Sequence, residues 1–170
     1  MFVLLEQIIQ GMAMKILLIV VGKTVQKWLQ DGISEYVSRL GHFVQFEMQV
    51  IPDLKNNRSM DFQTQKNLEG QSILKLLQPS DDVFLLDDKG REMTSPEMAS
   101  WLEKRMSQSS KRLVFIIGGP YGFSPEVYGQ VPGRLSLSRM TFSHQMVRLI
   151  FVEQLYRAFT ILQNLPYHHE

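Results

Sequence analysis

The residues able to do chemistry fall into a few groups. The first is Gly118-Gly119-Pro120-Tyr121-Gly122, which follows an apolar run at 113–117. Glycines at a strand end let backbone approach a ligand, because no Cβ intervenes. In α/β sheets, ligands gather at the carboxyl ends of strands. For an isolated Gly-Gly, a tight turn needing φ > 0 is the commoner explanation. The spacing is not that of a dinucleotide fingerprint, and no Gly-Lys-Ser/Thr follows, so phosphate-cradling hydrolysis is disfavoured.

The second group is the histidines, at 42, 144, 168 and 169. None has zinc-ligand spacing. Ser138, Ser143 and His144 lie close in sequence, but no nucleophile-elbow Gly-x-Ser-x-Gly accompanies them. Asp87 and Asp88 suit a ribose or a metal, and equally a turn. The chain has no cysteine, which excludes disulfides, thiolate metal sites and a Cys nucleophile.

The elements that must position these groups alternate in period. Residues 15–21 are continuously apolar, as in a strand buried on both faces. Val25, Trp28, Leu29, Ile33, Tyr36, Val37 and Leu40 recur at helical spacing. Val44, Phe46, Met48 and Val50 alternate as in a strand with one wet face. Residues 53–59 read as a loop, followed by a helix to about Leu77 with Leu68, Ile73, Leu76 and Leu77 on its apolar side. A short strand at 83–86 runs into the turn composition Asp87-Asp88-Lys89-Gly90. Ser95-Pro96-Glu97 and Ser124-Pro125-Glu126 read as helix starts. The first has Met98, Trp101, Leu102 and Met106 as its stripe. Leu135 and Leu137 alternate with serines. Residues 146–162 form a long helix, apolar almost all round, with Glu153 and Arg157 paired at i, i+4. Strands alternating with helices predict an α/β fold with a mostly parallel sheet flanked by helices.

Length and composition fit one globular domain, with 44% hydrophobic and 21% charged residues and a net charge of +1. Charge is uneven: residues 53–103 carry ten acidic and six basic groups, and residues 104–157 carry eight basic and two acidic. The basic half suits a polyanion, or is an ordinary surface of ion pairs. No run approaches the roughly 20 apolar residues of a membrane span. The apolar start, residues 1–13, has Glu6 and no basic n-region. It reads as an extension ahead of a domain at 14–170, with no export signal and a cytoplasmic location.

Four segments together resemble the RlmH family of ribosomal RNA methyltransferases, in the SPOUT class. They are Met14-Lys15-Ile16 to Val21-Gly22-Lys23; Phe115-Ile116-Ile117-Gly118-Gly119-Pro120; the run from Leu135 to Arg148; and Glu153-Gln154-Leu155-Tyr156-Arg157-Ala158-Phe159 with the Tyr167-His168 tail. The resemblance spans residues 14–170. It implies a SPOUT fold with a C-terminal deep trefoil knot, a homodimer, and S-adenosylmethionine as cofactor. The implied reaction is methylation at N3 of a pseudouridine in large-subunit (23S) rRNA within assembled ribosomes, with neither DNA nor membrane as partner.

The matching cofactor positions are Leu86, Gly118, Leu137, Ser138, Arg139, Met140, Thr141 and Phe142. His168 is the implied base or orienting group, and Tyr167 a stacking or hydrogen-bonding one. Arg139, Arg148 and Arg157 are expected to contact RNA phosphate or the dimer partner, unless Arg157 only pairs with Glu153. Two departures stand out: Ser143 where relatives carry Pro, suggesting a looser backbone, and His169 where some carry Arg or Lys. The tail after Pro166 is expected to be mobile without substrate. A SPOUT-like enzyme acting elsewhere, or an RNA-binding module without catalysis, are the rival readings.

Overall fold

The computed structural model describes residues 14–55, 57–108 and 112–169. The proposed extension, residues 1–13, lies outside them. Five strands form one all-parallel sheet in the order β2-β1-β4-β3-β5. They are β1 (Lys15–Val21), β2 (Gln45–Ile51), β3 (Asp81–Glu92), β4 (Arg112–Ile117) and β5 (Arg134–Ser136). The helices are α1 (Lys27–Leu40), α2 (Phe62–Leu74), α3 (Ser95–Ser107), α4 (Pro125–Gln130) and α5 (Met146–Leu162).

The strand period of two divides the core. Ile16, Leu18 and Val20 of β1, with Leu113, Phe115 and Ile117 of β4, face one side. There they meet Ile33 and Leu40 of α1, Met98, Trp101 and Leu102 of α3, and Phe151, Val152 and Leu155 of α5. Leu17, Ile19 and Val21, with Val114 and Ile116, face the other side. There they meet Ile73 of α2 and Val127 of α4. This double burial is why β1 and β4 read as unbroken apolar runs. β2 lies at an edge, and its exposure alternates from Gln45 to Met48, but Val50, expected on the dry face, is exposed and Ile51 is buried instead.

Several boundaries and faces differ from the sequence reading. Val25 precedes α1, and Val25 and Trp28 are exposed, so the stripe of α1 is narrower than expected. The 53–59 loop ends in a short 3-10 turn at Asn57–Ser59. α2 ends at Leu74, and Leu68 is largely exposed; Gln65, Glu69 and Gly70 are buried instead. Polar residues fill that face because α2 packs over the Gly118–Gly119 loop and the start of α4, where Glu69 meets Gly119 and Gly70 meets Ser124.

β3 runs past the expected turn to Glu92, and residues 87–90 form an irregularity within it: Leu86 and Arg91 both pair with Leu135. The turn composition is real, but the chain rejoins the same ladder. α3 is capped one residue earlier than Ser95. Thr94 Oγ1 accepts from Glu97 N, and the Glu97 carboxylate accepts from Thr94 N, a reciprocal capping box. The breadth of α5 is used mainly within the chain, since it packs against both α1 and α3. No helix of the described residues is long and apolar enough to cross a membrane.

Candidate functional site

A cavity of about 490 Å³ opens at the carboxyl end of β4 and beside the irregularity of β3. Its walls come from three chain-distant pieces. The irregularity in the middle of β3 supplies Leu86, Asp87 and Asp88. The loop after β4 supplies Gly118, Gly119, Pro120 and Gly122. The segment after β5 supplies Leu137, Ser138, Met140, Thr141, Phe142, Ser143 and His144, and α5 adds Val147. Of the eight residues expected to meet the cofactor, seven line this cavity. Arg139 does not: its side chain is 86% exposed and pairs with Glu92 at 3.3 Å.

The two glycines sit in close quarters. A Cβ built on Gly118 would lie 3.3 Å from the backbone of Gly122 and from the ring of Phe123. One built on Gly119 would lie 2.5 Å from the Glu69 carboxyl. Side chains in the 137–144 segment hold its shape. Ser136 Oγ donates to Ser138 O (2.9 Å), and Met140 N donates to Ser138 Oγ (2.9 Å). Ser143 does not loosen the backbone as its sequence position suggests. Its Oγ accepts from Met146 N at 3.1 Å and caps the entry to α5. Asp87 accepts from the Tyr128 hydroxyl and from Lys89 N. Burial pushes that carboxyl up, but these hydrogen bonds outweigh it and hold it below the usual range. Burial, aided by Asp87, pushes the Tyr128 phenol up to about 12.

Arg148 is not available to meet RNA or a second subunit, contrary to the sequence expectation. It is fully buried. Its guanidinium donates to Val21 O (2.7 Å), Gly22 O (2.8 Å), Thr24 Oγ1 (3.1 Å) and His144 O (3.0 Å). It therefore clamps α5 to the end of β1, where Gly22 turns with φ +76°. Burial pulls this guanidinium below its usual range, and Asp53 opposes that. Burial and the charge of Arg148 likewise hold the His144 imidazole low.

The tail is not loose. The Tyr167 hydroxyl donates to Glu153 Oε1 (3.0 Å) and meets the Tyr36 hydroxyl at 2.9 Å. Its ring packs edge-on against Tyr156, under the Arg157 guanidinium. Arg157 holds Glu153 at 2.5 Å and meets His168 Nδ1 at 3.3 Å. The tail thus docks on α1 and α5 of its own chain, and neither Tyr167 nor His168 lines the cavity.

Among the described residues, the arginines of the basic half mostly have partners within the chain. Arg105 pairs with Asp82, Arg112 with Asp81, Arg139 with Glu92 and Arg157 with Glu153, while Arg148 is interior. Arg134 lies over the Tyr128 ring. Among the described residues no cluster of three or more His, Asp or Glu could hold a metal ion.

Sequence reasoning weighs Asp87, Asp88 and His144 without placing them in the pocket, and it misses Glu69 and Tyr128. A glutamate on the buried side of α2, four residues after Gln65, is the available signal.

Known proteins are similar in sequence to this chain. The family described as predicted SPOUT methyltransferase matches residues 14–168. A protein of Phocaeicola vulgatus named ribosomal RNA large subunit methyltransferase H is 57% identical over 157 residues, covering 92% of this chain and all of the relative. A protein of that name from Parabacteroides distasonis has the same identity and coverage. One from Porphyromonas gingivalis is 54% identical over the same lengths. The chain belongs to the SPOUT methyltransferase family.

Proposed function

We propose that this chain is an S-adenosylmethionine-dependent methyltransferase acting on large-subunit (23S) rRNA, at N3 of a pseudouridine, in assembled ribosomes. The observation that carries the cofactor reading is the cavity at the end of β4 and the irregularity of β3, lined by two glycine backbones and by the 137–142 segment. Its donors suit the ligand. Leu86, Leu137, Phe142 and Val147 offer apolar surface for an adenine ring and a methionine chain. Asp87 and Asp88 offer carboxylates to hydroxyl or ammonium groups. Among the described residues, neither a lysine nor an arginine lines the cavity, as a phosphate would want. The trefoil threading implied by the family belongs to this proposal, as does the domain boundary at residue 14.

The bound cofactor supplies an activated methyl group on a cationic sulfur. The chain must align a nucleobase edge with that methyl, which is catalysis by proximity. N3 of pseudouridine carries a proton that must leave. His168 is the proposed acceptor or orienting group, and Tyr167 its support.

Because the tail docks on α1 and α5, away from its own cavity, the working site needs the tail of a second subunit. Exposed apolar groups argue for that homodimer. Val25, Trp28, Met140 and Phe142 are exposed. Gln145 ties the segment before α1 to the α5 entry, accepting from Val25 N (2.9 Å) and donating to Lys23 O (3.0 Å). Such a patch beside the cavity mouth marks an interaction surface. Because the arginines of residues 104–157 are so largely engaged within the chain, we infer recognition of a shaped ribosomal target rather than naked strand.

The test is to incubate the purified chain with unmodified ribosomes and labelled S-adenosylmethionine, then map methylated rRNA fragments by mass. The expected product is one added methyl on a large-subunit pseudouridine. A methyl at another nucleotide, or none, would overturn the assignment.

A further inference from the structure

Gly119 lines the cavity, and the carboxyl of Glu69, which does not line it, lies against Gly119. Glu69 of α2 is 5% exposed. Its carboxyl occupies the place a side chain at 119 would take, 2.5 Å from a Cβ built there. Oε1 accepts from Gln65 Nε2 at 2.9 Å; Oε2 is buried and receives no hydrogen bond from the described residues. A buried acceptor without a donor is uncommon in a folded protein and marks a group held there for a reason.

We propose that Glu69 is a positioning residue that reads the charge on the ligand's sulfur through Gly119: its carboxylate form favours the cationic sulfonium donor over the uncharged thioether product. This rests on the cofactor reading above. Burial is the main cause holding the carboxyl above the usual range; Gln65 opposes it, and the negative charge of Asp53 adds to it. A cation arriving on the far side of Gly119 would favour the carboxylate form and draw the group back toward the ordinary carboxylate range. After methyl transfer the sulfur is neutral, the reason to stay ionised is gone, and the product is held less tightly.

Other titratable groups face the same space. Asp87 and Asp88 line the cavity, and the hydrogen bonds to Asp87 keep it ionised. His144 lines it too; burial holds its imidazole low, so it charges only at acid pH. Asp53 and buried Arg148 lie behind. All of these remain in a Glu69→Gln protein, so the comparison isolates Glu69.

The test is calorimetry with S-adenosylmethionine and S-adenosylhomocysteine, in buffers of different ionisation enthalpy, on the wild type and Glu69→Gln. The wild type should release more protons with the donor than with the product. Its preference for the donor should rise roughly tenfold between about pH 5 and 8, the scale of a charge pair separated by Gly119. Glu69→Gln should bind both ligands with a pH-independent ratio and show no extra proton release. Equal proton release for the two ligands in the wild type, a measurement that needs no variant, would overturn the proposal, as would an unchanged ratio in Glu69→Gln. If the wild type binds neither ligand, the cofactor reading fails as well.

Discussion

Replacing Arg148 with Met tests whether one buried guanidinium sets the geometry of the cavity's α5 side. Methionine keeps most of the aliphatic length and deletes four donated hydrogen bonds. The carbonyls of Val21 and Gly22 lie in buried residues, and an abandoned buried acceptor costs about 1–3 kcal/mol. Two of them give roughly 2–6 kcal/mol. Wild type, however, carries the cost of a buried cation whose hydrogen-bond partners are neutral oxygens, and methionine relieves that part. The net expectation is a loss of about 3 kcal/mol, or a fall in Tm of about 6–12 °C for a chain of this size. Thermal and urea unfolding would measure it. Because Ser143, His144 and Val147 line the cavity at the clamped end of α5, cofactor affinity should also drop several-fold below the new Tm. Lysine at 148 should recover only a fraction, since one ammonium cannot span the forked acceptors. A Tm within about 2 °C of wild type, with unchanged cofactor affinity, would refute the clamp.

Gly118→Val forces a branched side chain against Gly122 backbone and Phe123; cofactor binding by calorimetry should fall at least about tenfold, as a displaced contact loop implies. His168→Ala should leave the fold and cofactor affinity intact while methyl transfer to ribosomes falls about a hundredfold or more, the scale of lost general acid–base assistance. Glu69→Gln should alter the pH dependence of stability. A carboxyl raised in the folded state stabilises fully below its unfolded value, and that contribution is lost as pH rises through the folded value. The variant should therefore gain on wild type in urea unfolding between about pH 5 and pH 8, by about 1 kcal/mol or more if the burial cost is real. Gly119→Ala should be destabilised by its clash with that carboxyl, and Glu69→Ala should partly rescue it, a coupling that unfolding of both single variants and the double would read.

The sheet was legible because its central strands are buried on both faces, and short continuous apolar runs such as residues 15–21 and 113–117, each closed by glycine, fit little else. The order of strands was not legible. Nothing in the local pattern says that β4, late in the chain, lies between β1 and β3. Helix faces were read well where they pack on hydrophobic strands, as for α3. They were misread where polar groups are buried for a local reason, as at Gln65 and Glu69. Asp87-Asp88-Lys89-Gly90 has a turn composition, but composition cannot say whether the chain leaves the sheet or, as here, bulges within one strand and returns to the same ladder.

The site divides along the same line. Seven of the eight cofactor positions implied by the family resemblance line one cavity, from three segments at Leu86, Gly118 and residues 137–142, an assembly that local composition alone does not reveal. Arg148 could not be placed from sequence, because an arginine in an amphipathic helix usually faces water, and only the meeting of α5 with the end of β1 turns it inward. The tail shows the larger consequence. Tyr167 and His168 look like a free terminus in sequence, yet Tyr36, Glu153 and Arg157 hold them on the chain's own α1 and α5. A docked tail cannot also sweep over its own cavity without breaking that network. If these residues act in methyl transfer, the docking that removes them from one cavity is what presents them, preorganised, to another. On that argument the unit of catalysis is two chains, and mixed dimers decide it. One chain would carry His168→Ala and the other Gly118→Val. Such a dimer keeps one sound cavity facing one sound tail only if the tail is supplied in trans. About half the wild-type activity is expected, from one working site of two, where the cis arrangement leaves none.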